Sequence, residues 1–178
     1  AWLPLAFAAW LRKWMFTQRW QTWQGITLTM LWLLFLPNAF YIISDIMHLK
    51  TTSTSNVLYD TALLLSFAWN GILLGYIGLY YMHRQLLLRI SRRSAHVFIG
   101  VILLLCSFAI YLGRFLRWNT WDVVVNPAGL LFDVSDRVLR PSVYPQTFTT
   151  TLTFFVLLGS MYVVVWQLIH VLGDEEKA

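Results

Sequence analysis

The chain has 178 residues, of which 58% are hydrophobic and only 12% are charged. A soluble domain typically carries about 25% charged residues, so this composition excludes a water-soluble globular protein and indicates a protein embedded in a membrane. The net charge of +5 does not indicate nucleic-acid binding, because the basic residues cluster beside long apolar segments. Basic clusters in that position are typical of anchors at the cytoplasmic surface of a membrane.

Five apolar segments follow one another along the chain, and four of them are long enough to span a bilayer, which takes about 20 residues. The first, Trp2 to Leu11, is too short and is either part of a truncated span or an interfacial segment. The four predicted spans are Gly25 to Leu49, Val57 to Met82, Val97 to Phe115 and Thr147 to Leu172. The sequence therefore predicts an all-α fold, a polytopic transmembrane helical bundle that forms a single domain over residues 1–178.

The connecting segments predict the orientation of the bundle. A basic loop from His83 to His96 follows the second span, and we expect both histidines to be solvated beside lipid headgroups. The spans alternate in direction, which places eight of the thirteen Lys and Arg residues on the side of this loop and of the C-terminus. That side is predicted to be cytoplasmic. Residues 118–146 then form an extracytoplasmic loop, in which Gly129 to Leu139 is predicted to be an amphipathic helix on the membrane surface.

Several polar and charged residues are predicted to meet at the extracytoplasmic ends of the first three spans. Asp45 lies near the end of the first span, Asp60 near the start of the second and Arg114 at the end of the third. A charged side chain at the bilayer centre costs about 2.5–3.5 kcal/mol on insertion scales, so a charge inside the membrane usually has a partner or a function. The candidate polar cup consists of Asn38, Tyr41, Asp45, His48, Asp60, Arg114, Arg117, Asn119 and Asp122.

Two interpretations of this polar cup are open. In the structural one, Asp45 and Asp60 neutralise Arg114 and Arg117 and lock three helices together. In the functional one, the Asp45-x-x-His48 spacing and Asp60 supply three ligands for a divalent metal ion. We expect Arg114 to be paired with Asp45 or Asp60, because a guanidinium cannot lose its proton when it is buried.

Small residues on the second span predict a face on which another helix packs. Gly71 and Gly75 form a G-x-x-x-G pair, and Gly78 lies on the same helical face. Glycines at this spacing let the backbone of a second helix approach closely. We therefore expect helix packing, and not chemistry, at these three positions.

Three stretches of the chain are similar to a known family. They are Trp32 to His48 (WLLFLPNAFYIISDIMH), Tyr59-Asp60 with Ser66 to Asn70 (SFAWN), and Gly113 to Asp122 (GRFLRWNTWD). In order and spacing they resemble the bacterial and cyanobacterial membrane family called domain of unknown function 1361, over roughly Leu3 to Leu172. Phe40 departs from the family pattern, which has a proline there. The resemblance implies a multi-pass protein of the inner membrane, either plasma or thylakoid, and implies no particular activity.

The sequence leaves two functions of different classes open. In the first, which we favour, the extracytoplasmic cup binds or processes a lipid headgroup, an ion or a small polar molecule. In the second, the chain is a non-catalytic accessory or assembly subunit of a larger membrane complex. Membrane lipids are the expected partners in both cases, with other membrane subunits added in the second. A divalent metal ion is the cofactor that the residues suggest, and no motif establishes an enzyme.

Overall fold

The computed structural model describes residues 2–17, 19–48 and 57–175, and among these the side chains of residues 2–16, 19–45 and 58–169. Within these ranges the secondary structure is entirely helical. The elements are α1 (Trp2–Thr17), α2 (Trp23–Tyr41), a 3₁₀ helix (Ile42–His48), α3 (Val57–Leu87), α4 (Arg92–Phe115), α5 (Asp122–Val125), α6 (Pro127–Leu139) and α7 (Pro145–Glu175). Pro37 lies inside α2, and the chain tightens into the 3₁₀ helix one turn after it.

Four of the helices are long and apolar enough to cross a membrane, namely α2 with the first part of the 3₁₀ helix, α3, α4 and α7. This confirms the predicted all-α bundle of four spans. The spans alternate in direction along the chain, so the bundle has two ends. We call the end where α3 finishes and α4 begins the basic end, since it carries Arg84, Arg89, Arg92 and Arg93. We call the opposite end, where α4 finishes, the Arg114 end.

The short N-terminal apolar segment forms α1, which packs against α2 and α3. Its 16 residues extend about 24 Å at 1.5 Å per residue, less than the thickness of the bilayer hydrocarbon of about 30 Å. Ala8 and Leu11 of α1 are fully buried. At its end, the carbonyl oxygen of Met15 accepts a hydrogen bond of 3.2 Å from Arg89. The apolar segment is thus a packed helix of the bundle.

The core of the bundle lies around Tyr76, in the middle of α3. The ring of Tyr76 lies 5.2 Å from the ring of Phe40 on α2 and 5.7 Å from the ring of Tyr162 on α7. Its hydroxyl donates a hydrogen bond of 2.8 Å to the carbonyl oxygen of Leu158. Because a buried hydroxyl without a partner is costly, this bond lets a tyrosine join three spans in an apolar environment.

The predicted close approach of two helices is present at the G-x-x-x-G pair. A Cβ atom added at Gly71 would lie 2.4 Å from the carbonyl oxygen of Ala39, and one added at Gly75 would lie 2.7 Å from the ring of Phe40. Helix α2 therefore packs directly on the backbone of α3. At Gly78 a Cβ atom would lie 3.5 Å from Ala8 and 3.6 Å from Trp32, so this third glycine faces α1 and α2.

The predicted loop from His83 to His96 is wrong, because both residues lie in helices and only residues 88–91 connect α3 to α4. Helix α4 begins early because the hydroxyl of Ser91 accepts a hydrogen bond of 3.1 Å from the backbone N–H of Ser94, which is an N-cap. The expected solvation of the histidines is also wrong for His83, which is 2% exposed. His96 is exposed, as expected.

Candidate functional site

The predicted ion pair at the Arg114 end is present. Arg114 Nη1 lies 3.0 Å from Asp45 Oδ1, and its Nη2 donates to the carbonyl oxygen of Ser44. The guanidinium also lies over the ring of Tyr41, with 5.8 Å between Cζ and the ring centroid. The Arg114 side chain is 10% exposed and the Asp45 side chain 35% exposed. The cation is therefore enclosed by its carboxylate, a carbonyl and an aromatic face, whereas the carboxylate keeps one side open.

Gly113 lets the last turn of α4 pack against Tyr41. A Cβ atom at Gly113 would lie 2.9 Å from the ring of Tyr41. The Tyr41 hydroxyl donates a hydrogen bond of 3.4 Å to the Gly113 carbonyl oxygen. Gly113 and Arg114, which follow one another in the sequence, thus both contact the side chain of Tyr41.

A cleft of about 320 Å³ lies beside this ion pair, between α2, the end of α4 and the segment that follows it. We call it the Asn38 cleft. Its polar lining comes from Asn38, Tyr41, Asn119 and Thr120, and its aromatic lining from Phe35, Trp118 and Trp121; Leu130 of α6 completes one wall. All the residues that line it are uncharged. Three members of the predicted cup, Asn38, Tyr41 and Asn119, therefore line the cleft, and its Asp and Arg residues do not.

One side of the Asn38 cleft is closed by a contact between distant parts of the chain. The amide nitrogen of Asn38 donates to the hydroxyl of Thr120 at 3.0 Å, and this hydroxyl lies 3.2 Å from the amide oxygen of Asn38. Trp121, which is 69% exposed, meets Phe35 edge to face with 6.0 Å between ring centroids. An amide, a hydroxyl and an indole ring thus lie close together in the wall of the cleft.

The turn after α4 places its side chains through an unusual backbone conformation at Arg117. This residue has φ 59°, in the left-handed region where helices usually end on glycine. The N–H of Trp118 donates to the carbonyl oxygen of Leu112, six residues earlier, at 3.3 Å, so the chain folds back on the last turn of α4. A non-glycine residue in this conformation costs roughly 1–2 kcal/mol. The turn directs Trp118 toward α6.

Helix α6 turns its charged face toward the protein. Trp118 Nε1 donates to Asp133 at 2.8 Å, and Asp133 also lies 3.2 Å from Arg137, which is 8% exposed. Burial alone would lower the pKa of Arg137, but hydrogen bonding to Tyr111 and the charge of Asp133 outweigh it and raise this pKa. The charged residues of α6 therefore anchor it to the end of α4.

Four apolar side chains of α6 point away from the protein. Leu131, Phe132, Val138 and Leu139 are between 58% and 78% exposed. The predicted amphipathic helix Gly129 to Leu139 thus exists, two residues longer at its start because Asn126 caps it and Pro127 occupies its first turn. The placement of its apolar face on the membrane stays a prediction.

The other members of the predicted polar cup lie outside the Asn38 cleft. Asp60 is in the first turn of α3 and half-buried, Arg117 is exposed on the turn, and Asp122 accepts a hydrogen bond of 2.6 Å from the backbone N–H of Asn119. The side chain of His48 lies outside the described residues. Among the side chains that are described, no group of three His, Cys, Asp or Glu could hold a metal ion, so the site of Asp45, His48 and Asp60 stays a prediction.

A second polar cluster, which the sequence did not predict, lies at the basic end. The ring of His83 stacks on Trp166 at 4.0 Å, and its Nδ1 lies 2.9 Å from the hydroxyl of Tyr162. The ring of His96 meets that of His83 edge to face at 4.8 Å. Histidines on α3 and α4 are thus joined to aromatic rings on α7. The only feature of the sequence that indicates this cluster is the spacing of Tyr162 and Trp166, which lie one turn apart on the last span.

Comparison with known proteins yields a family and no activity. No curated protein matches the chain, and no solved structure matches it. The family model described as protein of unknown function (DUF1361) matches residues 1–164. This range contains all three stretches on which the resemblance rests, including the residues of the Asn38 cleft. The chain therefore belongs to the family of proteins of unknown function DUF1361.

Proposed function

We propose that this integral membrane protein uses the Asn38 cleft to bind an uncharged, hydroxyl-rich polar group, such as the sugar headgroup of a glycolipid. The observation that carries the proposal is the lining of the cleft, which combines amide and hydroxyl groups with aromatic rings and consists entirely of uncharged residues. Amides and hydroxyls both donate and accept hydrogen bonds. They therefore suit a ligand whose hydroxyls do the same, and aromatic rings suit its apolar faces.

The charged residues beside the cleft affect ligand binding indirectly, because they position Tyr41. Arg114 is neutralised by Asp45 at 3.0 Å and covers one face of Tyr41, whose ring lines the cleft. The ion pair thus fixes the position of Tyr41 without presenting a charge to the ligand. A preorganised polar lining loses less conformational entropy on binding than a mobile one. In this role the pair is a positioning element.

The surroundings of the cleft favour a lipid as the source of the polar group. Leu130 of α6 lines the cleft, and the neighbouring face of α6 exposes Leu131 and Phe132 by 65% and 72%. An apolar face at the end of a membrane-spanning bundle suits burial at the boundary of headgroups and acyl chains. The cleft then lies at the depth of the headgroups, in the leaflet that the distribution of Lys and Arg predicts to be extracytoplasmic.

The test compares lipids that differ in their headgroup. The protein is purified in a detergent without a sugar headgroup and transferred to bilayer discs that contain equal amounts of a glucosyl diacylglycerol and a phosphatidylcholine. Native mass spectrometry should show the glycolipid retained in preference. Trp121→Leu should abolish this preference, whereas Trp69→Leu, which changes a tryptophan that is 59% exposed on α3, should preserve it.

The outcomes separate the sources of the polar group. Competition by free glucose at millimolar concentration would assign the cleft to a soluble sugar. Equal retention of both lipids without competition by glucose would refute the proposal. An equal effect of the two tryptophan variants would refute the assignment to the Asn38 cleft.

A role as an accessory subunit is the second candidate, and α7 favours it. Only 17% of the apolar window of α7 is buried within the chain, compared with 44% for α3 and α4. Val156 and Val164 of α7 are 60% and 57% exposed. A second membrane subunit could therefore pack against this apolar face of α7. A protein that co-purifies in fixed stoichiometry in the same mass spectra, with no preference between the lipids, would favour this function over the first.

A further inference from the structure

The basic end of the bundle contains a second cleft, of about 360 Å³, between α3, α4 and α7. We call it the His96 cleft, and it shares no residue with the Asn38 cleft. Its polar lining comes from His83, Arg92, His96, Tyr162 and Gln167. We propose that it binds an amphiphile with an anionic headgroup, such as a phosphate ester that carries an acyl chain.

The polar part of the cleft favours an anion. Arg92 is a permanent cation, and Asp and Glu are absent from the lining residues. The guanidinium donors of Arg92 match the oxygens of a phosphate group. The basic cluster nearby, which includes Arg93, raises the local concentration of anions at this end.

The rings that form the wall of the cleft are held rigidly. His83 is 2% exposed and is clamped between the stacked ring of Trp166 at 4.0 Å and the hydroxyl of Tyr162 at 2.9 Å. His96 meets His83 edge to face, and its Nδ1 lies 2.6 Å from the carbonyl oxygen of Arg92. Both imidazoles are thus oriented by neighbours on three helices. Because these contacts fix the two rings, the wall presents its polar atoms to a ligand at fixed positions.

The length of the cleft and the change in polarity along it favour an amphiphile over a small anion. From Arg92 to Leu103 along α4 the cleft extends about 16 Å at 1.5 Å per residue. Its lining changes over that distance from charged and polar residues to Leu103 and Phe155. Val163, which lines the cleft, is 57% exposed, so apolar surface continues from the cleft to the outside of the bundle. An acyl chain can therefore lie along the apolar part while its headgroup lies at Arg92.

Two glycines leave the space that the chain of the ligand would occupy. A Cβ atom added at Gly100 or at Gly159 would have no other atom within 4 Å, although both residues line the cleft. This is the opposite of Gly71, where a neighbouring helix fills the space. The absence of side chains at these positions widens the cleft without any gain in helix packing, as a bound ligand would require.

The experiment measures binding of phosphatidylglycerol to the full chain by native mass spectrometry, with phosphatidylcholine, a zwitterion without net charge, as the reference. Phosphatidylglycerol should bind with a defined stoichiometry. Arg92→Gln should weaken its binding about tenfold or more, as expected for the loss of one charge-assisted contact. Arg93→Gln removes the same charge from an exposed neighbour that does not line the cleft, and it should change binding by less than about twofold.

A second pair of variants tests the acyl part without touching a charge. Gly159→Leu fills open space in the cleft and should prevent binding, whereas Ser160→Leu, at the adjacent exposed position, should not. Equal binding of the two lipids, or equal effects within either pair of variants, would overturn the proposal. Binding of glycerol phosphate as tight as that of phosphatidylglycerol would retain the anion site and assign it to a soluble ligand.

Discussion

Breaking the ion pair at the Arg114 end should affect stability differently according to which partner is removed. An exposed ion pair contributes about 0–1 kcal/mol, while removal of one partner of a buried pair costs about 3–5 kcal/mol. Here the Arg114 side chain is 10% exposed and the Asp45 side chain 35% exposed. The pair lies between these limits, and its two halves are not equivalent.

The change Asp45→Asn leaves the enclosed guanidinium without its counter-ion. Among the described residues, the guanidinium then keeps the carbonyl oxygen of Ser44 and the ring of Tyr41 as its contacts. We therefore expect a loss of about 2–3 kcal/mol in the free energy of unfolding. The change Arg114→Met leaves a carboxylate that water reaches, and we expect a loss of about 1–2 kcal/mol. The double variant should lose about 1–2 kcal/mol less than the sum of the two single losses. Each single change already removes the interaction between Arg114 and Asp45, so the sum includes its loss twice.

The free energy of unfolding can be measured in mixed micelles as the fraction of a denaturing detergent rises, for the wild type and the three variants. Circular dichroism reports loss of the helical bundle. A coupling free energy below about 0.5 kcal/mol would show that the pair is solvated and independent. A larger loss for Arg114→Met than for Asp45→Asn would contradict the reasoning from exposure.

Two further predictions concern packing and orientation. Gly71→Ala should destabilise the protein by roughly 1–3 kcal/mol, because the new Cβ would lie 2.4 Å from a carbonyl oxygen of α2. The same change at Gly159, where the space is open, should be neutral or stabilising by up to about 1 kcal/mol; equal effects in the detergent unfolding assay would contradict this. In a Cys106→Ser background, cysteine at Ser142 should react with a membrane-impermeant thiol reagent on intact cells, and cysteine at Ser94 should not. The reverse labelling would invert the orientation.

The features that depend on local sequence and on depth in the membrane were predictable. Long apolar runs give spans because an unpaired backbone group in hydrocarbon is too costly for any other structure of this length. A carboxylate partner for Arg114 was predictable because arginine cannot lose its charge. The short connections between spans place Asp45 and Asp60 at the same end of the bundle, which made them the candidates. The structure selects Asp45, which lies in the 3₁₀ helix beside the last turn of α4.

The features that depend on contacts between distant residues were not predictable. His83 is buried because Tyr162 and Trp166, about eighty positions later in the chain, pack against it. Nothing in the neighbourhood of His83 indicates this, since it is followed at once by an arginine and a glutamine. The Asn38 cleft likewise depends on the contact of Asn38 with Thr120. The spacing of residues along α2 does not reveal this partner of Asn38, because Thr120 lies in the turn between α4 and α5.

The orientation of α6 connects these two kinds of feature. The alternation of apolar and charged residues in its sequence predicts two faces, and a helix on the membrane surface is expected to turn its apolar face to the lipid. In a soluble protein the apolar face would be buried, but here Asp133 and Arg137 face the protein and Phe132 and Leu139 are 72% and 78% exposed. The charged face is held there by Trp118, just after the end of α4, whose indole N–H donates to Asp133 at 2.8 Å. An apolar face turned outward beside four membrane spans is stable only where something other than water covers it. The buried charges of α6 are therefore further support for a membrane surface at the Arg114 end.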